Sequence, residues 1–323
     1  MNTNTMVLLK KIRYEKIAPF VALAVLFVAS SVLSPYFLQV TNLLNILRQV
    51  SYTGMIALGM TFVIISGGID LSVGSVAAFN ASVGILCLNF LMNAFSNEFL
   101  ALAGGILAAL LLGALAGALN GFLISKGKIA PFIVTLGTMA IFRSLALFIG
   151  SAGEIRSVSN YYGTFGMESI LFVPVPVIAL IILTVVLSIV LNSTAYGRYV
   201  SAVGSNVRVA VFSAINVARI KFMTYTLCGL VVSISAVMLS SRFNAVSTSN
   251  LGMGFELDAI AAVIIGGTPL SGGRGTVWGT IMGAIILGII NNMLNMLGVS
   301  PYLQGTVKGL VIIGAVYIQG QKA

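Results

Sequence analysis

Long stretches of this chain are apolar without the alternation of a half-buried strand. Gln49–Ile69, Leu71–Asn97, Phe99–Ser125, Ser169–Gly197, Phe222–Ser241 and Gly275–Val307 contain no charged residue. A helix crossing the ~30 Å hydrocarbon core needs roughly 20 such residues at about 1.5 Å each. Backbone groups in lipid must be satisfied within their own segment, so these runs predict helices rather than barrel strands. The pattern predicts about ten transmembrane helices, near 18–34, 50–67, 71–92, 99–124, 129–150, 171–191, 222–240, 257–270, 275–297 and 302–320. The expected fold is an all-α integral membrane protein: a tail at 1–17, one transmembrane domain over 18–320 and a tail at 321–323.

Two segments are punctuated by paired glycines. Gly67 and Gly68 end the second, Gly266 and Gly267 interrupt the eighth, and each is predicted to be a broken or partly re-entrant helix. The same places share a short echo, GGIDLSVG at 67–74 and GGTPLSGG at 266–273. Chance in a Gly-rich membrane protein is one reading of it. The other is irregular backbone at membrane depth, which survives only where protein or a water-filled cavity satisfies its polar groups. A transport pathway supplies such a cavity, which makes Gly67, Gly68, Asp70, Ser72, Gly266, Gly267 and Ser271 candidates for translocation or gating. The small-residue stripe from Ala103 to Gly117 is read as helix packing.

Composition closes off other classes. Residues are 59% hydrophobic and 7% charged, too few charges to cover a soluble surface, where roughly 25% is usual. The net charge of +10 sits between the apolar runs rather than on one face, which excludes nucleic acid as a partner. Lys10, Lys11, Arg13 and Lys16 precede the first helix, Lys126 and Lys128 follow the fourth, and Arg198, Arg208, Arg219 and Lys221 share one long loop. Arg48, Arg156 and Arg242 fall on the opposite side, so the positive-inside rule puts both termini in the cytoplasm.

There is no histidine, and Cys87 and Cys228 lie in apolar segments where a thiol acts as a small hydrophobe, so neither a disulfide framework nor a metal site is expected. Glu256 and Asp258 are two residues apart and do not share a helix face, which leaves no catalytic constellation for a membrane-embedded enzyme. A secondary transporter tends to carry intramembrane acids or histidines as proton relays, and these are scarce here. No P-loop of the GxxxxGK[ST] type is present, so if ATP drives the chain, another subunit hydrolyses it.

Four charged residues lie within or beside the apolar segments. Asp70 either caps the following helix or meets polar solute at the inner mouth of a pathway. Arg143, in the outer third of its helix, either snorkels to the interface or pairs with Asp258, and Lys308 is similarly placed. The loop 192–221, the longest on the cytoplasmic side, holds a short helix with Asn206 as N-cap and Gly204 permitting the turn before it, either a solvated basic loop or a docking surface.

GGIDLSVGS at Gly67–Ser75, GRYVSAVGSN at Gly197–Asn206 and the long block GFELDAIAAVIIGGTPLSGGRGTVWGTIMGAIILGIINNMLNMLGVS at Gly254–Ser300 resemble the permease subunits of bacterial ribose-type ABC sugar importers. The resemblance runs from about Ser34 to Lys308. It implies a multi-pass permease of the bacterial inner membrane, surrounded by lipid and paired with a second permease copy. It also implies a cytoplasmic ABC ATPase that uses ATP and Mg, and a periplasmic or lipid-anchored sugar-binding protein; this chain itself binds no cofactor or metal. Ribose is the favoured sugar, with galactose, arabinose, xylose and furanose sugars as competitors and branched-chain amino-acid permeases as the related alternative. The family's coupling loop corresponds to 192–221, which assigns Gly204, Asn206, Val209, Ala210 and Ala214 to ATPase contact. Ala214 stands where relatives commonly have Gly, and Pro269 where they have Ser.

Overall fold

A computed structural model describes residues 21–320; the tails expected at 1–17 and 321–323 lie outside the described residues. The chain is a helical bundle. Its elements are α1 (Val21–Leu33), α2 (Val40–Ile65), α3 (Val73–Phe95), α4 (Glu98–Ser125), α5 (Pro131–Ile149), β1 (Glu154–Arg156) and α6 (Asn160–Met167). Then follow β2 (Ser169–Ile170), β3 (Val173–Pro174), α7 (Val175–Ser193), α8 (Ala195–Ser205), α9 (Val207–Phe212), α10 (Val217–Phe243), β4 (Ala245–Ser247), α11 (Phe255–Ile265), α12 (Val277–Met296) and α13 (Pro301–Gly320). The all-α expectation needs one amendment. Antiparallel ribbons pair β1 with β4 and β2 with β3, and strands of two or three residues leave no readable period in the sequence.

Among the described residues seven helices, α2 to α5, α7, α10 and α12, are long and apolar enough to cross a membrane. The expected ten crossings are therefore not reached by length and composition alone; α1, α11 and α13 are the other three predicted segments. α2 is the axis of the bundle, with 83% of its most apolar window buried, whereas α4, α5 and α7 bury about a third or less of theirs and turn Leu107, Leu111, Leu115, Ile181 and Ile182 outward. The small stripe does pack helices. Gly113 and Gly117 of α4 lie against Gly229, Ser233 and the Tyr225 carbonyl of α10, where added Cβ atoms would collide with backbone.

Of the two helices expected to be broken, only one is. α11 has 11 residues and stops at Gly266, whereas α2 runs 26 residues without interruption, beginning ten residues before its predicted start. Polar residues in its first turns hid that start, and tertiary partners satisfy them. Asn42 and Asn292 exchange amide bonds at 2.8 and 3.2 Å, and Arg48 Nη2 donates to Ser169 Oγ.

Candidate functional site

α2 and α11 end in the same way. Gly67, at φ 76°, donates to the Ile64 carbonyl while Gly68 N–H reaches Val63; Gly267, at φ 91°, donates to Ile264 while Thr268 N–H reaches Val263. Both are Schellman caps with a left-handed glycine. The equivalent residues are thus Gly67 and Gly267, one position out of step with the sequence echo, which aligns Gly67 with Gly266.

The two caps, with the loops after them, meet a third element. Gly273 N–H donates to the Ile65 carbonyl at 2.8 Å, Gly272 packs on Gly67, and Ser205 Oγ donates to the Gly273 carbonyl. Gly204 lies between them; a Cβ there would run into the Ile65 carbonyl. The turn expected at Gly204 is absent, since it is the penultimate residue of α8, and what glycine provides is close approach rather than a positive φ. Ser271 is exposed in the same loop, and Gly266 is pressed against Gly279 at the start of α12.

From this junction the chain climbs into the bundle as irregular backbone. Asn80 of α3 donates to Ser233 of α10 at 2.7 Å, and the far ends of both helices meet the β1–β4 ribbon, where Asn89 donates to the Arg156 carbonyl. This register starts α3 nine residues, roughly 13 Å, deeper than α10 starts. The residues that bridge the step, 67–72, are held by side chains from α4 and α10 and by a bond within the segment. Tyr225 Oη donates to the Ile69 carbonyl at 3.0 Å, and Ser72 N–H and Oγ both donate to Asp70 Oδ1 at 2.9 and 2.6 Å. Asn120 Nδ2 donates to Ser72 Oγ at 2.9 Å. Asp70, 3% exposed, therefore closes a turn just ahead of α3 rather than reaching into the helix's first turn.

A second polar region lies elsewhere in the bundle. A cavity of about 270 Å³ is lined by Tyr52 and Thr53 of α2, Arg242 of α10, Asp258 of α11, Asn291 of α12 and Lys308 of α13, among apolar side chains. Ser235, which donates to the Tyr52 carbonyl, lies ten residues along α10 from Tyr225, so the cavity is roughly 15 Å further along the bundle than the Asp70 turn. Lys308 Nζ bonds Asp258 Oδ2 at 3.0 Å, joining α13 to α11. The pairing considered between Arg143 and Asp258 is not formed. Arg143 instead donates to the Thr248 and Ser249 carbonyls at 2.9 and 3.4 Å, anchoring the segment that leads into α11.

Of the candidate site residues read from the sequence, only Asp258 and Lys308 reach this cavity. Arg242 entered that reading only as a charge that sets orientation, and Tyr52, Thr53 and Asn291 went unnoticed because five helices far apart in sequence bring the cavity's walls together; their signal was polarity inside otherwise apolar runs.

The short helix read after Gly204 is α9, and Asn206 is its N-cap, Oδ1 accepting from Arg208 and Val209 N–H at 2.9 and 3.2 Å. Its faces differ. Val207, Val209, Val211 and Phe212 are exposed, Phe212 by 90%, while Ala210 is packed inward at 2% and so cannot itself be a contact surface. Ala214 ends the element at φ 59°, a left-handed position that favours glycine.

Comparison with known proteins supplies the context. The family described as branched-chain amino acid transport system / permease component matches residues 42–316. The chain is 43% identical over 311 residues, 96% of its own length and 94% of the relative's, to the ribose import permease protein RbsC of Bacillus subtilis strain 168. It is 40% identical to the ribose import permease protein RbsC of Escherichia coli strain K12, over 94% of this chain and 92% of that one. It is 36% identical to the D-allose transport system permease protein AlsC of the same strain, over 94% and 91%. No solved structure gives a significant match.

Proposed function

The chain belongs to the branched-chain amino acid transport system / permease component family, and from that premise we propose that it carries a monosaccharide, ribose first, through the membrane as the permease of an ATP-driven importer. The observation that carries the reading is a polar cavity, together with a stretch of irregular backbone held by side chains of α4 and α10, inside a bundle of spanning helices. Such features survive in hydrocarbon where they serve a pathway. The names of its relatives support a sugar over the amino acids in the family's title.

In this reading the end of the bundle that bears Gly67, Gly204 and α9 faces the cytoplasm, consistent with the positive charges of 192–221. The exposed apolar side of α9 seats in a cytoplasmic ATPase, with Val209 and Phe212 as anchors and Asn206 ordering the helix. Ala210 shapes the helix from within, and Ala214, exposed at its exit, stands beside the partner. Gly204 holds α8 against the α2 cap and the loop that follows α11, so a push on α9 reaches the end of α2 and that loop together. Two copies of this chain, two nucleotide sites and an extracytoplasmic sugar-binding protein complete the machine.

The test is substrate choice. Proteoliposomes holding the permease and its ATPase, supplied with the loaded binding protein, should accumulate labelled ribose and not labelled leucine or valine. Uptake of the amino acids without ribose would overturn the sugar reading.

A further inference from the structure

We infer that the cavity between α2 and α10 to α13 is a station that binds one monosaccharide through its hydroxyl groups, held by Tyr52, Asn291 and Arg242; this rests on the sugar-permease reading. Two polar atoms in its wall are buried without a well-formed hydrogen bond among the described residues: Tyr52 Oη, which the Arg242 side chain approaches, and Asn291 Oδ1, on residues 2% and 8% exposed. Nearly all buried polar atoms are paired, with protein or with ordered water, so two such atoms beside one open space mark where a guest's hydroxyls can take the place of water. The space suits a small guest. At the ~30 Å³ that a water takes up in the liquid, about 270 Å³ holds roughly nine waters, room for a monosaccharide.

The donor and acceptor set identifies the chemistry. A phenol both donates and accepts, an amide oxygen accepts and a guanidinium donates. A sugar hydroxyl, which does both, can answer all three. Arg242 adds direction, since it lies 5.9 Å from the centre of the Tyr52 ring and forms no ion pair among the described residues. An amino acid fits less well. Its ammonium needs a carboxylate, and the one facing the cavity, Asp258, is already bonded to Lys308. The wall thus carries one uncompensated positive charge, which can meet an amino acid's carboxylate but leaves its ammonium unpaired, whereas a neutral polyol brings no such group.

The permease–ATPase complex without binding protein provides the test. Thr53→Cys, on the cavity wall, is placed in a Cys87→Ser, Cys228→Ala background, and its alkylation by a small methanethiosulfonate is timed alone, with millimolar ribose and with millimolar leucine. Ribose should slow labelling several-fold and leucine should not; Tyr52→Phe with Asn291→Leu should remove the protection. Gln49→Cys, on the same wall, is the second reporter if Thr53→Cys fails to assemble. No protection by ribose at a reporter that labels, in a complex that still imports ribose with its binding protein, removes the station and leaves the sugar reading standing. Protection by leucine alone, with import of leucine, overturns both.

Discussion

Removing either member of the Asp258–Lys308 pair should cost more than removing the second once the first is gone. The two groups are 3.0 Å apart with side chains 10% and 29% exposed. At an effective dielectric near 20, unit charges at that distance attract by roughly 5 kcal/mol before desolvation is subtracted. Breaking a fully buried pair costs about 3–5 kcal/mol and an exposed one is worth under about 1 kcal/mol. With Lys308 partly open to the cavity, the coupling should fall near 1–3 kcal/mol. Asp258→Asn, Lys308→Met and the double variant, unfolded in mixed micelles by increasing anionic detergent, give the cycle. Each single variant should lose stability, and the double variant should lose less than the sum by over about 1 kcal/mol. Losses that add within about 0.5 kcal/mol, the level of independent sites, would refute a working pair and with it the tether between α11 and α13.

Three other outcomes follow from particular contacts. Asp70→Asn keeps the Oδ1 that accepts from Ser72 and should retain uptake; Asp70→Ala leaves a buried N–H unpaired at about 1–3 kcal/mol and should lower membrane levels or uptake. Equal damage from both in an uptake assay would assign the role to the charge instead. Ala214→Gly relieves a left-handed alanine, offset in part by a looser unfolded chain, and should raise apparent melting temperature by the equivalent of up to about 1 kcal/mol. A reporter fused after Lys128 or near Arg208 should read cytoplasm, and one within 151–167 exterior; the reverse at Arg208 would invert the orientation.

How much of this was legible depended on whether one stretch of chain held the signal. The stop at Gly266, the Asn206 cap and the irregular run after Gly67 are local, and glycine pairs or a capping residue announce them. The true start of α2 was hidden because Asn42, Arg48 and Gln49 look foreign to lipid; the first two bond to α12 and to the β2–β3 ribbon, and Gln49 lines the cavity. Gly204 was misread as a turn, since a glycine chosen for close approach looks the same in sequence as one chosen for a positive φ. The two-faced character of α9, with Ala210 inward and Val209 outward, required the packing of α8 and α10 around it.

The claim that most needs testing is that force generated by another chain enters here through α9. The direct measurement is sugar imported per ATP hydrolysed in proteoliposomes, for the wild type and for Val209→Glu and Phe212→Glu. These variants should insert normally, yet import should fall far more than hydrolysis, or the ATPase should fail to co-purify. Unchanged import per ATP and unchanged co-purification in both would contradict the account and move the coupling surface to another loop, such as 126–130.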